Sequence, residues 1–298
     1  MNNEGKKLRT NSILTTVNSF PTLPAVVTRV IEITADPDSE IEDLMKVISM
    51  DQSLTASVLK IANSALYGLT GNVSSLKQAL TVLGFAEIQK IVLSKAVFES
   101  FKHISDDKRF EFKKFWEHSF YCGLTAKIIA REVGTMYNDM FVAGIIHDIG
   151  KLILFIALED EYLKIINYSI EKDIDINIVE NKTLGTTHSQ VGMDLLRRWL
   201  FPETLLMAVG FHHSPMETTK DKTFPIIIHI SDLLTYFFTK KADGFPVEAI
   251  DKKLSSPEIS DLASKINLDW SSSKKEELLE KIEIQREKEM DILNLFLS

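Results

Sequence analysis

Residues 141–155, Phe-Val-Ala-Gly-Ile-Ile-His-Asp-Ile-Gly-Lys-Leu-Ile-Leu-Phe, constrain the fold of this chain more than any other stretch. They are apolar on nearly every side and show no stripe of period 3.6, so a helix made from them is buried all round. Yet His147, Asp148 and Lys151 stand at their middle. Charges at the midpoint argue against a membrane span. In a protein core an unpaired charge costs several kcal/mol or loses its charge, so each of the three needs a partner or a metal.

Candidate partners cluster in the same part of the chain. Six of the seven histidines lie between positions 118 and 229, together with Asp148 and Asp232. Imidazole and carboxylate suit iron, manganese or nickel, and also zinc or magnesium. The single cysteine, Cys122, supplies no thiolate set. On one continuous helix His147 and Asp148 point about 100° apart, which suits a two-metal site with the aspartate bridging. Each residue also has a plain structural reading. His147 with Asp148 can be a hydrogen-bonded core pair, His188 and His212-His213 surface residues at helix ends, and His118 a packing residue. Asp232 and Lys151 can be partners in ordinary ion pairs, and His229 reads as core or as support for a ligand.

Composition narrows the function classes. With 45% hydrophobic and 26% charged residues the chain has the make-up of a soluble globular protein. A net charge of −8 disfavours a binder of nucleic-acid backbones. Lys6, Lys7 and Arg9 are followed by no apolar secretion-signal core. One cysteine excludes an intramolecular disulfide and fits a reducing compartment. The expectation is a cytoplasmic protein with neither nucleic-acid nor membrane partners.

The helical pattern runs throughout and no strand pattern interrupts it. Residues 1–12 are polar and expected to be a disordered tail. Five short helices follow in an N-terminal half, residues 13–105, beginning after Phe20-Pro21-Thr22-Leu23-Pro24. A second half, 106–243, holds a long helix over 111–133 with His118, the His147 segment, and one or two helices over 160–182 broken at Asp173-Ile174-Asp175. Further helices open at Thr186 or Thr187 and at Pro202, the latter ending before Pro215. The last helix of this half, over 224–240, places His229 and Asp232 on one face. Residues 244–298 form a C-terminal extension whose final helix is expected to start with a Ser273-to-Glu276 capping box. The fold class is all-α.

The order His118, His147-Asp148, His188, His212-His213, Asp232 resembles the HD superfamily of metal-dependent phosphohydrolases, in its HD-GYP branch. His147-Asp148-Ile149-Gly150-Lys151 is similar to that branch's H-D-x-G-K signature. From Phe20 to about Lys240 the chain is more similar to the HDOD family. The similarity runs through Leu23-Pro24-Ala25-Val26, Ile48-Ser49-Met50-Asp51-Gln52-Ser53-Leu54-Thr55 and Leu59-Lys60-Ile61-Ala62-Asn63-Ser64-Ala65. It continues in Leu76 to Gly84, in Leu184-Gly185-Thr186-Thr187-His188-Ser189-Gln190-Val191-Gly192, and in Trp199, Pro202 and His212-His213.

That resemblance implies a multi-helical HD-like domain with an N-terminal helical subdomain, used in bacterial signalling and regulation. Many HDOD members lack the HD metal ligands, whereas here His118, His147, Asp148, His188, His212, His213 and Asp232 supply all seven. Ser214-Pro215-Met216 stands where HD-GYP proteins continue to Gly-Tyr-Pro, and Lys114 where some have a third-metal glutamate. Two metals are therefore expected rather than three. Two roles follow: a signalling module with a protein partner or a small phosphorylated ligand, or a metal-dependent phosphohydrolase. In the second, Asp148 and Lys151 are the catalytic candidates, with Lys151 contacting a substrate phosphate.

Overall fold

Polar caps and buried apolar faces cut the chain into a succession of helices. In the computed structural model, residues 3–297 are described except 23–24, 37, 64–72, 103, 105–106, 136 and 245–246. His103, and parts of the Leu23-Pro24 and Ser64-Ala65 motifs, thus lie outside the described residues. The described residues form helices and no strand.

The N-terminal half contains α1 (Asn3–Ser19), α2 (Ala25–Ala35), α3 (Ile41–Ser49), α4 (Gln52–Ala62), α5 (Leu76–Leu83) and α6 (Phe85–Phe101). Helix α1 occupies the stretch expected to be a disordered tail. Its polar composition hides two apolar positions one turn apart, Ile13 and Val17, both buried. The Ser12 hydroxyl also donates to the Ala157 carbonyl at 2.9 Å, and Arg9 pairs with Glu161. Helices α2 to α6 are the five expected, α5 being capped by Ser75, whose Oγ accepts from the Gln78 N–H.

The second half begins with α7 (Phe112–Glu132), α8 (Tyr137–Ile146) and α9 (Ile149–Leu158), followed by α10 (Asp160–Lys172) and α11 (Ile176–Leu184). Then come α12 (His188–Arg198), α13 (Glu203–Phe211) and α14 (Thr223–Ala242). Helix α7 lies against α8 and α14, α9 against α12, and α13 bridges α12 and α14. Thr187 is the residue that caps α12, its hydroxyl accepting from Gln190 N. By length and composition the 139–158 stretch could cross a membrane, but 78% of it is buried inside the molecule.

The extension folds back as α15 (Glu248–Leu254), α16 (Pro257–Lys265) and α17 (Ser272–Leu297), the first two on α14 and the last along α7. Because α17 starts at Ser272, the expected Ser273-to-Glu276 capping box falls inside its first turn.

An aromatic cluster ties the chain's start to α12. Phe20 stacks on Phe101 with ring centroids 4.5 Å apart, and Trp199 packs against both. Trp199 Nε1 donates to the Pro21 carbonyl at 2.9 Å, and the Arg198 guanidinium donates to the carbonyls of Val17 and Phe20.

Candidate metal centre

The apolar segment is not one helix, as its uninterrupted hydrophobicity predicts, but two, α8 and α9, separated by a turn at His147 and Asp148. Asp148 adopts φ −98°, ψ 7° and stands at the first position before α9, where its carboxylate meets the positive end of that helix. The turn lets both side chains point inward from neighbouring positions. Glycine makes the surrounding approach possible. A Cβ on Gly150 would lie 1.9 Å from the His188 carbonyl oxygen, and one on Gly144 would lie 2.5 Å from the Gly123 Cα. Backbone contact of α9 with α12 thus brings His188 to Asp148, and that of α8 with α7 brings His147 to the face carrying His118.

Three imidazoles of the centre are held through Nδ1. His147 Nδ1 donates to the Gly144 carbonyl (2.8 Å), His212 Nδ1 to the Val209 carbonyl (2.7 Å), and His188 Nδ1 to the Glu180 carboxylate (2.8 Å). With Nδ1 as donor to an acceptor-only group, the lone pair of the neutral ring is left on Nε2 and aimed at the middle. There His188 Nε2 lies 3.2 Å and His212 Nε2 3.7 Å from Asp148 Oδ1, and His213 Nε2 lies 3.1 Å from His188 Nε2. On the other side of the same carboxylate, Oδ2 lies 3.3 Å from His147 Nε2 and 2.5 Å from Lys151 Nζ. His118 Nε2 and Asp232 Oδ1 are 2.9 Å apart, with His147 Nε2 3.7 Å from the latter.

The electrostatics match this crowding. Burial alone would push the His147 imidazole down, but Asp148 outweighs it and holds the ring well above its ordinary value. Burial opposes ionisation of Asp148 as well, and His147 and Lys151 overcome it, keeping the carboxyl well below the usual range. Burial likewise works against His188, and Glu180 raises it on balance. His212 is the exception. Burial and then the neighbouring His213 lower it far below an ordinary histidine, so its lone pair is free at neutral pH.

The seven candidates His118, His147, Asp148, His188, His212, His213 and Asp232 are all brought together, in two groups. Asp148, His188, His212 and His213 form one and His118, His147 and Asp232 the other, the ligand atoms within each lying within 4.8 Å of one another. Among the described residues, His147 Nε2 and Asp148 Oδ1 are buried with no hydrogen-bond partner. A buried carboxylate on which several imidazole nitrogens converge is an arrangement that suits a cation. The donor set fits a divalent metal. Lys151 joins the centre through Asp148. His229 stands behind it, Nδ1 donating to the His212 carbonyl at 2.7 Å. Cys122 is buried beside His147, and burial pushes its thiol up.

Three residues of the site escape a sequence reading. Glu180 on α11 is fully buried, and besides His188 Nδ1 it accepts from the His188 backbone N–H and, at 2.6 Å, from the buried Tyr162 hydroxyl. Asp175, expected only as part of a helix break, caps α11 and lies 3.6 Å from His213 Nδ1. Neither carboxylate belongs to a local motif, so spacing gave no signal for them.

Comparison with known proteins agrees with this architecture. Residues 20–215 match the HDOD domain family. A structure from Shewanella amazonensis SB2B, described as a phosphohydrolase, superposes with a TM-score of 0.74 at 21% identity, covering 96% of this chain and 98% of that one. One from Marinobacter aquaeolei VT8, described as a signal transduction protein, superposes with a TM-score of 0.76 at 19% identity, covering 98% of this chain and 66% of that one. At these identities the likeness concerns the fold. A curated relative, a protein of Treponema pallidum (strain Nichols), is 23% identical over 205 residues, and the matched region spans only 39% of its length.

Proposed function

This chain belongs to the HDOD family, and we propose that it is a regulatory module of that family built around a centre whose residues would hold two divalent cations, with Asp148 standing between its two halves. The observation that carries this reading is the convergence of seven ligand side chains in two groups that meet at one carboxylate, with buried acceptors left unpaired. Iron, manganese or nickel suit the imidazole-rich set best, with zinc and magnesium as alternatives. A regulatory role is supported by enclosure: His147, His188 and His212 are fully buried, and Lys151 is turned onto Asp148 instead of outward. It is also supported by the signal transduction description of the Marinobacter structure. The signal would arrive through a protein partner or a small phosphorylated ligand. The test is elemental analysis of protein purified without chelator or His-tag. About two equivalents of a divalent metal are expected, and a folded protein without metal would refute the centre.

A second reading, a metal-dependent phosphohydrolase, is favoured by one edge of the centre. There the side chains of His118, Asp232 and Lys151 keep 20%, 25% and 23% of their surface exposed. Bound cations lower the pKa of water and polarise phosphoryl oxygens. Within that chemistry Lys151 would release Asp148 to hold a non-bridging phosphate oxygen, while Asp148 keeps both halves in register. Phosphoester turnover by metal-loaded protein that is lost in Lys151→Ala would establish this reading over the first.

A further inference from the structure

The two halves of the centre are built unequally. In the half formed by Asp148, His188, His212 and His213, three of the four side chains are buried. One imidazole is hydrogen-bonded to a carboxylate on α11, and a second has the carboxylate of the residue capping that helix 3.6 Å away. Glu180 holds His188 and is itself fixed by the Tyr162 hydroxyl, while Asp175 stands at His213. A carboxylate behind a histidine fixes its orientation and raises its basicity as a ligand. In the other half, neither His118 nor His147 has a carboxylate at Nδ1 among the contacts described, and His147 leans on a backbone carbonyl. His118 and Asp232 are partly exposed and already paired with each other at 2.9 Å. The carboxylate oxygen that faces this half, Asp148 Oδ2, is engaged at 2.5 Å by the Lys151 ammonium.

We infer that the centre loads in order. The half backed by α11 takes the first cation tightly, and the His118 half takes a second only by displacing Lys151 from Asp148. The second place is then an adjustable one, filled according to the divalent metal available, with the lysine ammonium as its built-in competitor. This deepens the two-cation reading and rests on it. Occupancy of the second place changes the contacts of Lys151 and the His118–Asp232 pair, so the same protein has two charge states at its partly exposed edge.

Manganese(II) titration of the metal-stripped full chain tests the order, with free ion and exchange coupling followed by electron paramagnetic resonance. The wild type is expected to show two classes separated by at least tenfold in affinity, with coupling appearing only as the second fills. Glu180→Gln should weaken the tight class by about 10- to 100-fold, the scale of such supporting residues, and Tyr162→Phe should weaken the same class less. Lys151→Met should tighten the weak class and leave the tight one in place. Two ions of equal affinity, or a Lys151→Met protein whose second class is unchanged, would overturn the order while leaving the centre intact. No manganese on folded wild type would remove the two-cation reading and the order with it. Should Glu180→Gln fail to fold, Tyr162→Phe and Asp175→Asn carry the test of the tight half.

Discussion

Gly150→Ala puts the architecture of the centre to a direct trial. The added Cβ would sit 1.9 Å from the His188 carbonyl oxygen and 2.7 Å from the Gly192 nitrogen. Close carbon–oxygen contacts in proteins run near 3.3 Å, so α9 and α12 must separate by about 1.4 Å along that contact. Both atoms met by the methyl are backbone, so a change of side-chain rotamer gives no relief. Overpacking of this kind costs about 1–3 kcal/mol, and domains of 150–250 residues lose about 2–4 °C per kcal/mol. A drop in Tm of several degrees is expected in metal-free protein. The loss in the metal-loaded state should be larger. His188 is the first residue of α12 and moves with it, whereas a binding constellation tolerates only about 0.5 Å of displacement. Thermal denaturation with and without manganese(II), together with metal content after gel filtration, reads both effects. A Gly150→Ala protein with wild-type metal content and an unchanged Tm would refute the argument that backbone contact between α9 and α12 positions His188.

Asp148→Ala removes the group that joins both halves and should abolish binding of both ions, while His147→Ala should lose the second ion and melt earlier; unchanged metal content in both would sink the site assignment. In metal-stripped protein His147 and His188 titrate above their ordinary value. The stability they contribute is therefore complete below about pH 6.5 and is lost as the pH rises through their raised values. The Tm of chelator-treated protein should fall as the pH rises above about 6.5. Metal-loaded protein should resist that fall, since the cation replaces the protons, and a chelated Tm that climbs over this range would contradict the assigned directions. Phe20→Ala, which empties the stack with Phe101 and Trp199, should cost about 3–5 kcal/mol in denaturant unfolding and weaken binding of the first metal ion, because α12 carries both Trp199 and His188.

Most of the helices could be read from residues alone. Helices α2 to α6 and the break before α11 follow from apolar period, a cap at Ser74 or Ser75, and the turn residues Asp173-Ile174-Asp175. Conspicuous histidines and aspartates in apolar helices pointed to a cluster around His147, Asp148 and Lys151, while the full set of seven ligand candidates came from the resemblance to the HD superfamily. What stayed hidden depends on contacts between distant parts of the chain. Helix α1 is stabilised through Ile13, Val17 and Ser12 against α9, which a polar local composition conceals. The turn at His147-Asp148 leaves no mark in a segment whose hydrophobicity runs through unbroken, since no proline signals it. Glu180 and Tyr162 lie 18 positions apart on separate helices and meet only in three dimensions.

Helix α12 begins with His188 in the centre and ends at Trp199 in the aromatic cluster that grips Pro21 and stacks near Phe20 and Phe101. At 1.5 Å per residue those two side chains stand about 16 Å apart on one rod. A rod of three turns does not stretch, so a shift of its first residue is delivered to its last. The grip on the chain's beginning and the geometry of the buried imidazoles are therefore two readings of the position of a single lever.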